Sequence, residues 1–170
     1  PEGRYGQVRG ILVFYYPRSQ AGQRAATIIA NNLKEIYPLP ELVQAQPTTT
    51  IGEVRRVRAP SAFLELGYHD NPEDAVWIKS SLDAVAKNLV LSLTDYFDIP
   101  FLLPQPSRPG QVDVDWGVLN IRARPELDAP ILVQAPDGAP LTVRNSTGDW
   151  YLVDYYGTVG YARQDFITLI

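Results

Sequence analysis

The sequence contains no cysteine. That excludes disulfides, iron–sulfur clusters, thiolate zinc sites and a cysteine nucleophile. It suits an oxidising exterior as well as a cytoplasm, so it places the chain in neither. Histidine occurs once, at His69. One imidazole cannot build a His-rich metal site, and one set in a turn gives no ground for a Ser-His-Asp triad. An excess of basic charge is missing too. The net charge is −4, with ten basic and eleven acidic side chains in residues 1–98 and five and eight in residues 99–170. Neither part has the basic footprint of a nucleic-acid binder or the charge for simple attachment to an anionic surface. No apolar run is long enough to cross a membrane. No Gly-rich phosphate loop occurs, since neither GQVRG nor GDW has that form. The opening PEGRYGQVRG has the build of neither a secretory signal nor a targeting segment.

What is present is a chain of 170 residues, 45% of them hydrophobic, enough for one medium domain or two small ones. ILVFYY at residues 11–16 is a continuous apolar run rich in β-formers, and Pro17 ends it. Ser19 is placed to cap a helix in which Ala25, Ile28, Ile29, Leu33 and Ile36 recur at helical spacing, until Pro38 and Pro40 stop it. Residues 41–60 are ambiguous, with IGEVRRVRAP readable as a short helix before Pro60. Ala62, Phe63, Leu64 and Leu66 form a second strand. After a turn, Asn71 is an N-cap candidate, Pro72 suits the first helical position, and Glu73 and Asp74 complement the helix dipole. Leu82, Val85, Leu89, Leu93 and Phe97 then predict a long amphipathic helix.

Strand, helix, strand, helix predicts parallel pairing with helices packed on the sheet. Both strands read as buried on both faces, as in a doubly covered parallel sheet, which usually has four or more strands. Residues 1–98 offer two clear strands and an uncertain third. The expectation is a partial α/β domain, a C-terminal portion whose sheet is completed by a missing N-terminal segment or a second chain.

Residues 99–113 contain Pro100, Pro104, Pro106, Pro109 and Gly110 and read as a semi-stiff linker. Residues 114–170 show short apolar runs broken by Pro-Asp-Gly, Asn-Ser-Thr-Gly and Tyr-Gly turns, the texture of a small all-β barrel. So small a domain has a thin core, and Trp116, Trp150, Tyr151 and Phe166 are expected to be partly structural.

Glu65 stands inside the second strand. A carboxylate there is costly to desolvate unless something pairs with it. On the residues alone two readings stand open. Glu65 is a strand-edge carboxylate, or one paired with Arg55, Arg56 or Arg58; or it is a functional acid.

Two family resemblances bear on this choice. GVLNIRARP, GDWYLV and GTVGYARQDFI, in that order across residues 117–167, resemble the bacterial SH3 (SH3b) domains. That resemblance implies a module that binds cell-wall peptides or tethers a hydrolase near them. PSAFLELGYHDNPED, at residues 60–74, resembles the last strand and helix start of the zinc-dependent N-acetylmuramoyl-L-alanine amidases, matching at Pro60, Leu64, Glu65, Gly67, Tyr68 and Asn71. GILVFYYPRSQAGQRAATIIANNL resembles an earlier strand and helix of that family, and the likeness spans about residues 8–98.

The amidase resemblance implies a peptidoglycan hydrolase, extracellular or wall-associated, that cleaves the amide between N-acetylmuramic acid and L-alanine. It implies that Glu65 is the catalytic acid/base beside a zinc ion. The family's zinc ligands lie N-terminal to the matched region and have no counterpart here, so zinc is expected for the complete family domain and not from this chain's residues. The alternative is a non-catalytic wall-binding or scaffolding module. Substrate-binding candidates are Arg55 and Arg56 in the first region and Trp116, Tyr155, Tyr156 and Tyr161 in the second. Asp149 and Asp154 are weaker candidates as acceptors for peptide amines. His69 reads as an exposed loop residue. The expected partners are peptidoglycan and wall peptides, with no nucleic acid and no membrane span.

Overall fold

The apolar run at residues 11–16 becomes strand β1, Ile11–Tyr15, in the computed structural model, which describes residues 5–170. β1 is the middle of a three-stranded sheet, between β2, Val43–Pro47, and β3, Ala62–Glu65. β1 and β2 run parallel, as the helix that joins them requires. β3 pairs with β1 antiparallel, Leu12 opposite Glu65 and Phe14 opposite Phe63. The α/β class holds, but the sheet is mixed where an all-parallel one was expected. The connection from β2 to β3 carries only the single-turn helix α2, Gly52–Arg55, and reverses the chain.

Helix α1, Gln20–Lys34, starts at Ser19, whose side chain accepts from the Gly22 N–H at 3.0 Å. Its buried stripe is Gly22, Ala26, Ala30 and Leu33, with Tyr37 continuing the line. Small residues let the helix lie close to the sheet: a Cβ on Gly22 would meet the Ser61 carbonyl at 2.9 Å. Ile11, Val13 and Val43 face it, all at most 1% exposed. Each is worth about 1.5–3 kcal/mol relative to exposure. The opposite face, with Leu12, Phe14, Phe63 and Glu65, is only half-buried. The expectation of strands buried on both faces therefore fails within this chain.

The long helix predicted near the end of this region is two helices, α3, Pro72–Ser80, and α4, Leu82–Phe97. α4 buries Val85, Asn88 and Ser92, while Leu82, Leu93 and Phe97 are exposed. A polar seam sets this rotation. Asn32 Nδ2 donates to Ser92 Oγ at 3.1 Å and to Asp95 at 2.8 Å, and Asn88 Nδ2 donates to the Asn32 carbonyl at 2.7 Å. No helix among the described residues is long and apolar enough to cross a membrane.

A second compact unit comprises Asp98–Ile170. Its strands are β4 (Arg108–Val112), β5 (Val118–Arg122), β6 (Ile131–Pro136), β7 (Pro140–Thr147), β8 (Trp150–Tyr155), β9 (Thr158–Arg163) and β10 (Ile167–Leu169). They form one antiparallel sheet in the order β10-β4-β7-β8-β9-β5-β6, around a core of Val112, Leu119, Ile121, Val143, Val153 and Ala162. β4 lies in the stretch read as linker. Pro109 sits one residue beyond the last pair with β10, where a missing N–H breaks no ladder bond on that side.

Candidate functional site

Glu65 ends β3 on the uncovered face of the sheet. Cross-strand partners share a face, so its neighbours are Leu12, Phe63 and Phe14, the two phenylalanine rings lying 6.4 Å apart. The carboxylate is half-buried and makes no hydrogen bond or ion pair among the described residues. It borders an open depression of about 620 Å³ that is also lined by Tyr5, Gly67, Tyr68, His69 and Asp70. Arg55, Arg56 and Arg58 are exposed on or just past α2 and do not line it. The ion-paired reading of Glu65 therefore has no partner here, and the structure does not bring Arg55 or Arg56 to Glu65.

A buried carboxylate holds this end of the strand in place. Asp74, fully buried on the first turn of α3, accepts from the backbone N–H of Gly10 and of Tyr68, both at 3.1 Å. Its other oxygen accepts from Arg9 Nε at 3.3 Å and from the Tyr37 hydroxyl. Arg9 also pairs with Glu73. Asp74 thus ties the entry of β1 to the exit of β3, three residues from Glu65. Gly67, at φ 102°, makes the turn between them; a Cβ there would sit 3.2 Å from Asp74 Oδ2. Asn71 caps α3 as expected, accepting from the N–H of Glu73 at 3.1 Å and of Asp74 at 3.2 Å, while its amide donates to the Gly6 carbonyl.

The Tyr68 phenol has its pKa raised, first by burial, then by the negative charges of Glu65, Asp74 and Asp70. It stays a neutral hydroxyl within the field of the Glu65 carboxylate. His69 is exposed and shares the depression. No group of three or more His, Asp or Glu side chains that could hold a metal ion exists among the described residues. The described residues do not fit the zinc that the amidase resemblance implies.

Asp74 was missed as anything beyond a dipole-favoured charge. DNPED reads the same whether its last carboxylate faces water or turns inward. The only signal in the sequence is that Asn71 already serves the capping role, leaving Asp74 free for another.

In the β-rich unit, Trp116 is 89% exposed and lines a groove of about 560 Å³ with Trp150 and Phe166. Tyr155 and Tyr156 stack edge to face, 4.7 Å apart, at the β8–β9 turn and do not line it. Tyr161 is 5% exposed, and burial raises its phenol pKa. The expectation of Tyr161 as a ligand contact is thus corrected, because its ring is packed away from solvent. Asp154 is taken up by Arg144 and by the Gly157 N–H, which lower its pKa.

The N-acetylmuramoyl-L-alanine amidase family profile matches residues 3–95, more than half of the chain. The chain belongs to that family. The amidase region is followed by a bacterial SH3 domain, matched over residues 117–168.

Among solved structures, the fold of the amidase region is shared with the CwlD amidase of Clostridioides difficile, solved in complex with the GerS lipoprotein. The TM-score is 0.51 at 17% identity, over 55% of this chain and 48% of that one. The catalytic domain of the CD27L endolysin targeting Clostridia difficile matches at 24% identity and TM-score 0.47, over 53% of this chain and 48% of that one. AmiC2 of Nostoc punctiforme, an N-acetylmuramoyl-L-alanine amidase, matches at 20% identity and TM-score 0.42, over 55% and 53%. The chain spans about half the length of each of these structures. No curated protein matches it.

Proposed function

We propose that the amidase region contributes the acid/base carboxylate of a peptidoglycan amidase, and that the SH3 domain holds the enzyme on the cell wall. The observation that carries this reading is Glu65: a half-buried carboxylate with no hydrogen-bond or ion-pair partner among the described residues, at the end of a strand whose exit is fixed by a buried hydrogen-bond centre. A proton shuttle needs a free oxygen at an open site. Glu65 takes a proton from the attacking water and returns it to the departing amine of L-alanine, as the C–N bond breaks and the carboxylate of the muramic acid side chain forms. Zinc enters this reading only with ligands from polypeptide beyond these residues. The place of action is the cell wall, outside the membrane.

The test is release of muropeptides from purified peptidoglycan, by the chain alone and by a form extended at its N-terminus to full family-domain length. The expected result is release by the extended form only. Glu65→Gln in that form should lower release by about 10²–10⁴-fold while its zinc content stays the same. Release that survives Glu65→Gln overturns the assignment. Binding to peptidoglycan with no release in either form supports the second reading, a non-catalytic wall-binding module. The absence of a three-ligand group among the described residues is the observation that favours it.

A further inference from the structure

The groove of the β-rich unit is built apart from Glu65. Leu119 and Ile121 of β5 point into the core, so Val118, Asn120 and Arg122 alternate onto the outer face and line the groove. Trp150 and Phe166 line it as well. Trp150 is 8% exposed and packed, whereas Trp116 leaves nearly its whole indole in water. A volume of about 560 Å³ suits a small ligand or a few residues of peptide. An aromatic side chain left open at such a groove offers a large contact area for little lost entropy.

Charge decides what the groove accepts. Arg124, Arg144 and Arg163 each hold a carboxylate of this unit: Glu126, Asp154, and the pair Asp149 and Asp165. Arg122 is different. It is half-buried against the groove and makes no ion pair among the described residues; one nitrogen, Nη1, donates to the Ala129 carbonyl at 2.9 Å. A guanidinium carries five N–H donors, so most of its donor capacity is free. A partly desolvated guanidinium without a counterion is a ready receptor for a planar carboxylate. Asp115 also lines the groove, exposed beside Trp116 and without an ion pair among the described residues. It disfavours a second carboxylate near the mouth and favours an amine.

We infer that this groove binds a short peptide bearing one free carboxylate and a free amine, with Arg122 receiving the carboxylate and Trp116 covering the chain between the two charges. The inference rests on the proposed wall-hydrolase function only for the natural source of the peptide, the stem of peptidoglycan.

The experiment uses the whole chain and the probe L-Lys-D-Ala-D-Ala, followed through the indole N–H signals of the three tryptophans. Trp116 and Trp150 are expected to shift saturably, and Trp77, in the other unit, to stay put. The C-terminal amide of the probe should bind at least about tenfold more weakly, the loss of one charge-assisted contact. Arg122→Gln should erase the preference for acid over amide while the melting temperature stays within a few degrees. Equal binding of acid and amide by the wild-type chain overturns the inference without reliance on any variant, as does the absence of saturable shifts at several millimolar probe. A third arm uses L-Lys-L-Ala-L-Ala. Weaker binding of this form supports the wall source. Equal binding upholds the carboxylate site and overturns peptidoglycan as its source, whatever the hydrolysis assay gives.

Discussion

Removing the Asp74 carboxylate should cost the amidase region most of its stability. The side chain is fully buried and accepts four hydrogen bonds, two of them from backbone N–H groups on different segments. In Asp74→Ala, the N–H groups of Gly10 and Tyr68 and the Tyr37 hydroxyl all lose their acceptor. Each orphaned buried donor costs about 1–3 kcal/mol, so the expected loss is about 3–9 kcal/mol. A domain of this size is stable by only about 5–15 kcal/mol. Asp74→Asn is the sharper control. With its oxygen toward Gly10 and Tyr68, both backbone donors keep their acceptor, so the loss is confined to charge assistance, the Arg9 contact and the acceptor of the Tyr37 hydroxyl, and should be smaller than for the Ala variant. The assay is urea unfolding followed by circular dichroism at 222 nm, because the four α-helices of the described residues all lie in the first unit. A loss below about 1 kcal/mol for Asp74→Ala would refute the argument. So would an Asn variant as unstable as the Ala variant, which would mean that shape and charge, not donor satisfaction, set the cost.

Glu65→Gln should change the stability of the present chain by no more than about 0.5 kcal/mol, because the carboxylate has no partner among the described residues to lose; a larger drop in chemical denaturation would reveal a structural role. Gly22→Ala should destabilise, by about 1–3 kcal/mol, although Ala is normally the better helix former. A Cβ there would lie 2.9 Å from the Ser61 carbonyl and 3.0 Å from Ser19 Oγ, and a rise in melting temperature would refute that close approach. Stability of the first unit should fall as pH rises above about 10, the ordinary tyrosine value. Tyr37 and Tyr68 have raised pKa values, chiefly from burial, so their contribution is complete below that pH and is lost as it climbs toward the folded values. Tyrosinate absorbance in which all ten tyrosines titrate together near the ordinary value in the native protein would contradict this.

Local pattern carried much of the fold. β1, α1 and its Ser19 cap, the Glu65 strand and the Asn71 cap follow from residues adjacent in sequence, where periodicity and capping chemistry act. The readings that failed depend on distant partners. VQAQP does not announce β2, because an edge strand with polar residues on its uncovered face lacks a clean apolar alternation. The direction of β3 is set by how the chain reverses after α2, which no residue of the strand records. The leucines of α4 suggest a core stripe, but the Asn32, Asn88 and Ser92 hydrogen bonds turn a different face inward. In the site, Glu65 was legible because an acid in an apolar strand demands an explanation. Asp74 and Arg122 were not, since a carboxylate at a helix start and an arginine in a β-strand look the same whether paired or free.

The position of Glu65 also explains why so apolar a setting tolerates a free charge. One face of the sheet is closed by α1, where Ile11, Val13 and Val43 are nearly free of solvent contact. The other face presents Leu12, Phe14 and Phe63, all half-buried, with Glu65 at its rim. A sheet of this class packs on both faces, yet the chain covers only 48% of the CwlD amidase structure whose fold it shares. Under the proposed function, whatever polypeptide covers Leu12, Phe14 and Phe63 also removes water from around Glu65. Electrostatic contacts made with the carboxylate then strengthen as water leaves. The Asp74 centre keeps the exit of β3 fixed through that change, because its hydrogen bonds lie on the far side of the Gly67 turn and involve none of the uncovered residues. The same one-sided sheet that leaves Glu65 without a partner among the described residues is therefore what would let a covering segment both complete the core and ready the acid for chemistry.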